Sequence, residues 1–107
     1  MLSVTPVEVR DAWARGKDIV LVCAYEDDEK CRSTGIENSL TYHEFVTLLP
    51  TFDRTREIIF FCDCKNDEKS IERAEEYHRK GYPNAKVLEG GVKAWRMSSA
   101  ASSTARK

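Results

Sequence analysis

Two short runs, Ile19-Val20-Leu21-Val22-Cys23-Ala24 and Ile58-Ile59-Phe60-Phe61-Cys62, are apolar at every position. A strand that faces water on one side alternates polar with apolar residues. An unbroken run demands cover on both faces, which is the condition of a strand inside a parallel sheet. Both runs fall far short of the ~20 residues that span a bilayer. The chain must therefore supply helices to cover a sheet on two sides.

Those helices are legible. Thr5-Pro6-Val7-Glu8 offers a capping threonine, a proline suited to the first turn and a glutamate that closes a capping box. Val9, Ala12 and Trp13 follow at helical spacing, with Gly16 as the stop. Thr41-Tyr42-His43-Glu44 is a second capping box, and Phe45, Leu48 and Leu49 give its helix an apolar face before Pro50. From Ser70 to Lys80 the residues Ile71, Ala74 and Tyr77 share a face, and Gly81 and Pro83 end the helix. Ala85-Lys86-Val87-Leu88 reads as a last strand, and Gly90-Gly91 turns into a helix bearing Val92 and Trp95. The acidic stretch from Tyr25 to Gly35 reads as a loop with a helical turn, and Ile36 to Leu40 as a short strand. Strands alternating with helices predict an α/β domain with a mainly parallel central sheet flanked by helices in three layers. Residues 1–97 form the single domain, and residues 98–107, rich in Ser and Ala, are expected to be a disordered C-terminal tail.

The chain has 107 residues and a formal net charge of −1. It has room for one modest core, so function belongs to a surface loop carried by that core. No Lys/Arg block marks a nucleic-acid or anionic-membrane footprint, so neither partner is expected. The N-terminus lacks the basic and apolar regions of a signal peptide, which points to the cytoplasm. In that compartment the four cysteines read as reactive or buried thiols before structural disulfides.

The segment Cys62-Asp63-Cys64-Lys65-Asn66-Asp67-Glu68-Lys69-Ser70 joins a buried strand to a helix. A loop that curls there can turn successive amides inward, and the helix adds the positive end of its dipole. Such a cradle lowers the pKa of a cysteine and makes it a nucleophile at neutral pH. Lys65 and Lys69 favour an anion, whereas Asp63, Asp67 and Glu68 oppose it.

Together with the closing stretch Gly81-Tyr82-Pro83-Asn84-Ala85-Lys86-Val87-Leu88-Glu89-Gly90-Gly91-Val92-Lys93-Ala94-Trp95, this loop resembles that of rhodanese-like sulfurtransferase domains. The resemblance runs from about Thr5 to Trp95. It implies a three-layer rhodanese-like domain and a sulfurtransferase that carries a sulfane sulfur as a cysteine persulfide. The donor would be a small anion such as thiosulfate or a persulfide, and the acceptor a thiol. No cofactor is implied. Cys62 and Cys64 are the candidate catalytic residues, and Asp63, Lys65, Asn66, Asp67, Glu68, Lys69 and Ser70 the candidate substrate-binding loop. The usual loop places Ser six residues after the cysteine. Here Ser70 is eight after Cys62 and six after Cys64, so two registers compete. Cys62 is favoured because it directly ends the apolar strand. In a related subgroup with Cys-x-Cys and a longer acidic loop, the position matching Cys64 can be selenocysteine.

The resemblance also marks a departure. Many members carry Asp-x-Arg at the end of the early strand, where this chain has Cys23 and Tyr25. The missing Arg weakens the case for ordinary thiosulfate turnover. The implied strand order sets Cys23 near the loop as a candidate resolving thiol, against the plainer reading of a small core residue. Cys31 reads as exposed, His43 and His78 as surface residues, and Trp13 and Trp95 as core anchors. Cys-x-Cys is not a common zinc spacing and no second ligand pair is evident, so no metal is expected. A monomer or weak oligomer is expected. Two other classes stay open: a thiol or selenol redox protein using the Cys62/Cys64 pair, and a non-catalytic interaction module.

Overall fold

The apolar runs become the inner strands of a five-stranded, wholly parallel sheet of order β1-β5-β4-β2-β3. A computed structural model describes residues 2–105, with side-chain surroundings through residue 98. The strands are β1 (Ser3–Val4), β2 (Ile19–Cys23), β3 (Ser39–Leu40), β4 (Glu57–Phe61) and β5 (Ala85–Leu88). The helices are α1 (Pro6–Ala14), α2 (Asp28–Ser33), α3 (Tyr42–Leu48), α4 (Glu68–Arg79) and α5 (Gly91–Ala105). Strand β1 adds an edge that the sequence did not announce, because two residues carry too little pattern to read.

Alternation along the strands divides the core. Leu21, Cys23, Ile59, Phe61 and Leu88 face one side, where they meet Val9 of α1, Val92 and Trp95 of α5 and Cys31 of α2. Val20, Val22, Ile58, Phe60 and Val87 face the other, against Phe45 of α3 and Ala74 and Tyr77 of α4. The three layers are therefore real, and each central strand is covered twice, as its composition required. Trp13 and Trp95 meet edge to face with ring centroids 5.7 Å apart, which makes them the core anchors expected.

Both capping boxes form: Thr5 with Glu8 and Thr41 with Glu44 exchange reciprocal side-chain and backbone hydrogen bonds. The acidic run organises more than a loop with one turn. The carboxylate of Asp27 accepts from the Glu29 and Lys30 amides and starts α2, while Asp28 and Glu29 sit where the helix dipole favours negative charge. Among the described residues no helix is long and apolar enough to cross a membrane. The tail set apart from residue 98 onward lies largely outside the side chains described, and residues 106–107 lie outside the described residues altogether.

Candidate active site

At the carboxyl end of β4, the central strand, the chain leaves the sheet at Cys62 and re-enters regular structure at α4. Asn66 and Asp67 both adopt left-handed conformations, with φ of 57° and 56°. Asn and Asp are the side-chain-bearing residues that tolerate this region best. Two such residues in a row turn the chain back sharply and bring the start of α4 beneath Cys64. Asp67 is held in place from several sides. Its Oδ2 accepts from the Gly90 amide at 3.0 Å, and its carbonyl accepts from Ser70 Oγ at 3.0 Å. Helix α4 has no side-chain cap. Instead the Lys69 amide, in its first turn, donates to Cys64 Sγ at 3.4 Å.

Cys62 and Cys64 are joined as a disulfide, with Cα atoms 5.5 Å apart. Their surroundings differ. Cys62 is buried, with 1% of its surface exposed, whereas Cys64 is half-buried. Cys62 Sγ lies 3.7 Å from Ser70 Oγ, whose own proton goes to the Asp67 carbonyl. Ser70 Oγ thus turns its acceptor side to Cys62. Cys64 Sγ receives a backbone donor from the first turn of α4. Among the described residues, Lys69 is the one backbone amide that donates to a cysteine sulfur. The cradle of inward amides expected from sequence is thus thin, and it serves Cys64 rather than the favoured Cys62.

The remaining loop residues divide. Asp63, Lys65, Asn66 and Glu68 are exposed and Ser70 is buried. Lys69 contributes its amide. Beside the loop opens a cavity of about 260 Å³ lined by Ser3, Asp67, Ile71, Val87 and Glu89. Among the described residues, no group of three or more His, Cys, Asp or Glu side chains could hold a metal ion.

Two expectations about the other cysteines are corrected. Cys31 is not exposed: it is 5% accessible and bonded to Cys23 as a disulfide. The cap at Asp27 converts its segment into a helix whose inner face meets the sheet. Cys23 ends β2 next to β4, but strand alternation sends its side chain to the α1/α5 face. Cys62, one residue past Phe61, points to the α4 face towards Ser70. Cys23 is therefore paired with Cys31 and not brought to the loop. All four cysteines are paired, against the expectation of reduced thiols.

Three contacts at the site were not legible in sequence. The Asp63 amide donates to the Tyr25 phenol oxygen at 3.1 Å. The Val92 amide donates to the Cys62 carbonyl at 3.2 Å. Arg73 of α4 donates through Nε to the Ala24 carbonyl at 2.9 Å, and its other nitrogens pair with Glu26 and Glu76. Burial works against the charge of Arg73, but its hydrogen bonds to these carboxylates hold its pKa above the ordinary value. The end of β2 thus has a guanidinium after all, supplied from α4 and engaged there. The sequence marks Tyr25 only as the residue standing where many relatives carry the Arg of Asp-x-Arg, just past the end of a strand neighbouring β4.

A family model described as a rhodanese-like domain matches residues 32–98. Among solved structures, a human single-domain sulfurtransferase superposes with a TM-score of 0.70 at 17% identity, covering 91% of this chain and 96% of that one. A rhodanese-like domain protein from Staphylococcus aureus gives 0.68 at 23% identity, covering 89% and 91%. A single-domain sulfurtransferase from Saccharomyces cerevisiae gives 0.61 at 19% identity, covering 94% and 92%. No curated protein matches the sequence.

Proposed function

Because this chain belongs to the rhodanese-like domain family, we propose that it is a sulfurtransferase whose reacting couple is Cys62 and Cys64, with Cys64 as the nucleophile. The observation that carries this reading is the asymmetry of the pair: the half-buried sulfur takes the Lys69 amide, and the buried one faces a hydroxyl that can only accept. The Cys64 thiolate attacks the outer sulfur of a sulfane donor. The S–S bond of the donor breaks, its thiolate leaves (sulfite, where the donor is thiosulfate), and Cys64 holds a persulfide. An acceptor thiolate can then take the outer sulfur and return Cys64 to a thiolate. Alternatively, Cys62 loses its proton and attacks the inner sulfur of Cys64, closing the Cys62–Cys64 disulfide and expelling hydrosulfide. An external dithiol resets the pair by taking up the two oxidising equivalents.

The charges bear on the donor. Loop residues 62–70 carry two lysines and three acids, and both charged groups lining the adjoining cavity, Asp67 and Glu89, are acidic. A persulfide with one charge suits this setting better than the thiosulfate dianion. A reducing compartment such as the cytoplasm suits the resetting step.

The test is exposure of the folded, reduced protein to a low-molecular-weight persulfide or to thiosulfate, followed by mass analysis of the 62–70 segment. One added sulfur atom, removed by a thiol reductant, or a Cys62–Cys64 disulfide formed with release of one hydrosulfide, is expected; the absence of both would overturn the reading. A second reading, a thiol–disulfide oxidoreductase on the same pair, is favoured by the disulfide itself. Turnover with disulfide or peroxide substrates, without uptake of sulfane sulfur, would select it. Loop thiols of ordinary, unperturbed pKa would instead mark a non-catalytic module.

A further inference from the structure

Asp63, the residue between the two loop cysteines, has its backbone N–H bonded to Tyr25 and not to its own loop. Tyr25 is set on a segment with little freedom. On one side of it the Ala24 amide donates to the Phe61 carbonyl at 2.9 Å, and the Ala24 carbonyl accepts from Arg73. On the other side Glu26 pairs with Arg73, and Asp27 caps α2. Behind it the Cys23–Cys31 disulfide ties the end of β2 to α2. The Tyr25 ring lies under the Lys30 ammonium, 4.0 Å from the ring centroid. The phenol is thus carried on a fixed arm, and the atom it reaches belongs to the residue that closes the Cys-x-Cys ring.

We propose that Tyr25 is a positioning residue for the Cys62–Cys64 couple: its phenol oxygen holds the Asp63 amide where the two sulfurs meet, and so favours the closed disulfide over the open dithiol. The proposal rests on the reading that these two cysteines are one reacting couple. The contact is made while the pair is closed, and on this proposal it is weaker once the pair opens. Opening the ring frees the loop backbone between the two cysteines, and the exposed Asp63 would then exchange the phenol for water. A hydrogen bond made in one state and not the other shifts the equilibrium by its net worth. The balance is two-electron: dithiol plus oxidised dithiothreitol gives protein disulfide plus reduced dithiothreitol, with both protons passing to the reagent.

The full chain and its Tyr25→Phe variant are equilibrated in buffers of fixed oxidised-to-reduced dithiothreitol ratio. They are then quenched by alkylation and read cysteine by cysteine by mass spectrometry. Tyr25→Phe is expected to lower the closing constant of Cys62–Cys64 about threefold to tenfold, the range of a net hydrogen bond. The constant of Cys23–Cys31 should stay where it is, since the ring that packs against that pair is kept in the variant and the lost hydroxyl bonds the Asp63 amide. A Cys62–Cys64 constant that does not move overturns the proposal. So does an equal shift of both pairs, which would mean general loosening. Hydrogen exchange on the unaltered protein serves should the variant not fold. The Asp63 amide is expected to be slower in the oxidised than in the reduced form, and exchange at the rate of a free peptide in the oxidised form overturns the proposal. Neither measurement uses a sulfur donor, so the result stands apart from the persulfide test.

Discussion

Cys62 and Cys64 are two residues apart, yet their neighbours ask opposite things of them. Ser70 Oγ has spent its proton on the Asp67 carbonyl and offers Cys62 a place to donate. The Lys69 amide offers Cys64 a proton to lean on. In the reduced protein, Cys64 should therefore alkylate with a half-maximal rate at lower pH than Cys62. Cys62→Ser should trap the persulfide on Cys64, because hydrosulfide can no longer be expelled by ring closure; Cys64→Ser should take up none. Rates of alkylation against pH, read by mass spectrometry, check the first, and sulfur uptake checks the second. A Cys62 that titrates lower would reverse the roles. Sequence made the loop visible and favoured Cys62, whereas the proposed mechanism favours Cys64. Adjacency to the strand spoke for Cys62; the proton commitments of Ser70 and the turn at Asn66 and Asp67 are tertiary facts that composition does not carry.

The start of α5 is fastened to the end of β4. Gly91 sits at φ +57°, and a Cβ built there would collide with the Cys62 carbonyl, which also accepts from the Val92 amide. The helix can therefore approach the cysteine only through a glycine. Gly91→Ala should lose about 1–3 kcal/mol, from the left-handed strain and the displaced carbonyl. It should also change the Cys62–Cys64 closing constant, because the moved carbonyl belongs to the ring. Urea unfolding and the dithiothreitol equilibrium measure the two effects, and an unchanged closing constant would show that α5 does not brace the loop. At this scale the sequence read well. Helices α1 and α3 were announced by capping boxes that form, and β2 and β4 by uninterrupted apolar runs. Helix α2 was underread: its start depends on the Asp27 cap, and in an acidic stretch a cap looks like any other solvated carboxylate.

At the scale of the molecule, the Cys23–Cys31 disulfide closes a short loop, with eight residues of sequence separation. Constraint of the unfolded chain predicts about 2–3 kcal/mol for a loop of this size. The double variant Cys23→Ala/Cys31→Ala should lose that amount in urea unfolding and retain sulfur uptake at Cys64. Loss of uptake would tie this pair to the chemistry directly. The three-layer architecture was legible because doubly covered strands leave few other arrangements. The pairing of the cysteines was not, because a sequence does not say which face of a sheet a sulfur will occupy.

That placement has a consequence. Cys23 and Cys62 leave adjacent strands at the same end of the sheet, but in opposite directions. The sheet stands between the two pairs as a partition one chain thick. The two pairs consequently meet different surroundings: one lies on the α4 side, and the other is buried under α2 and linked to the first through the Tyr25 arm.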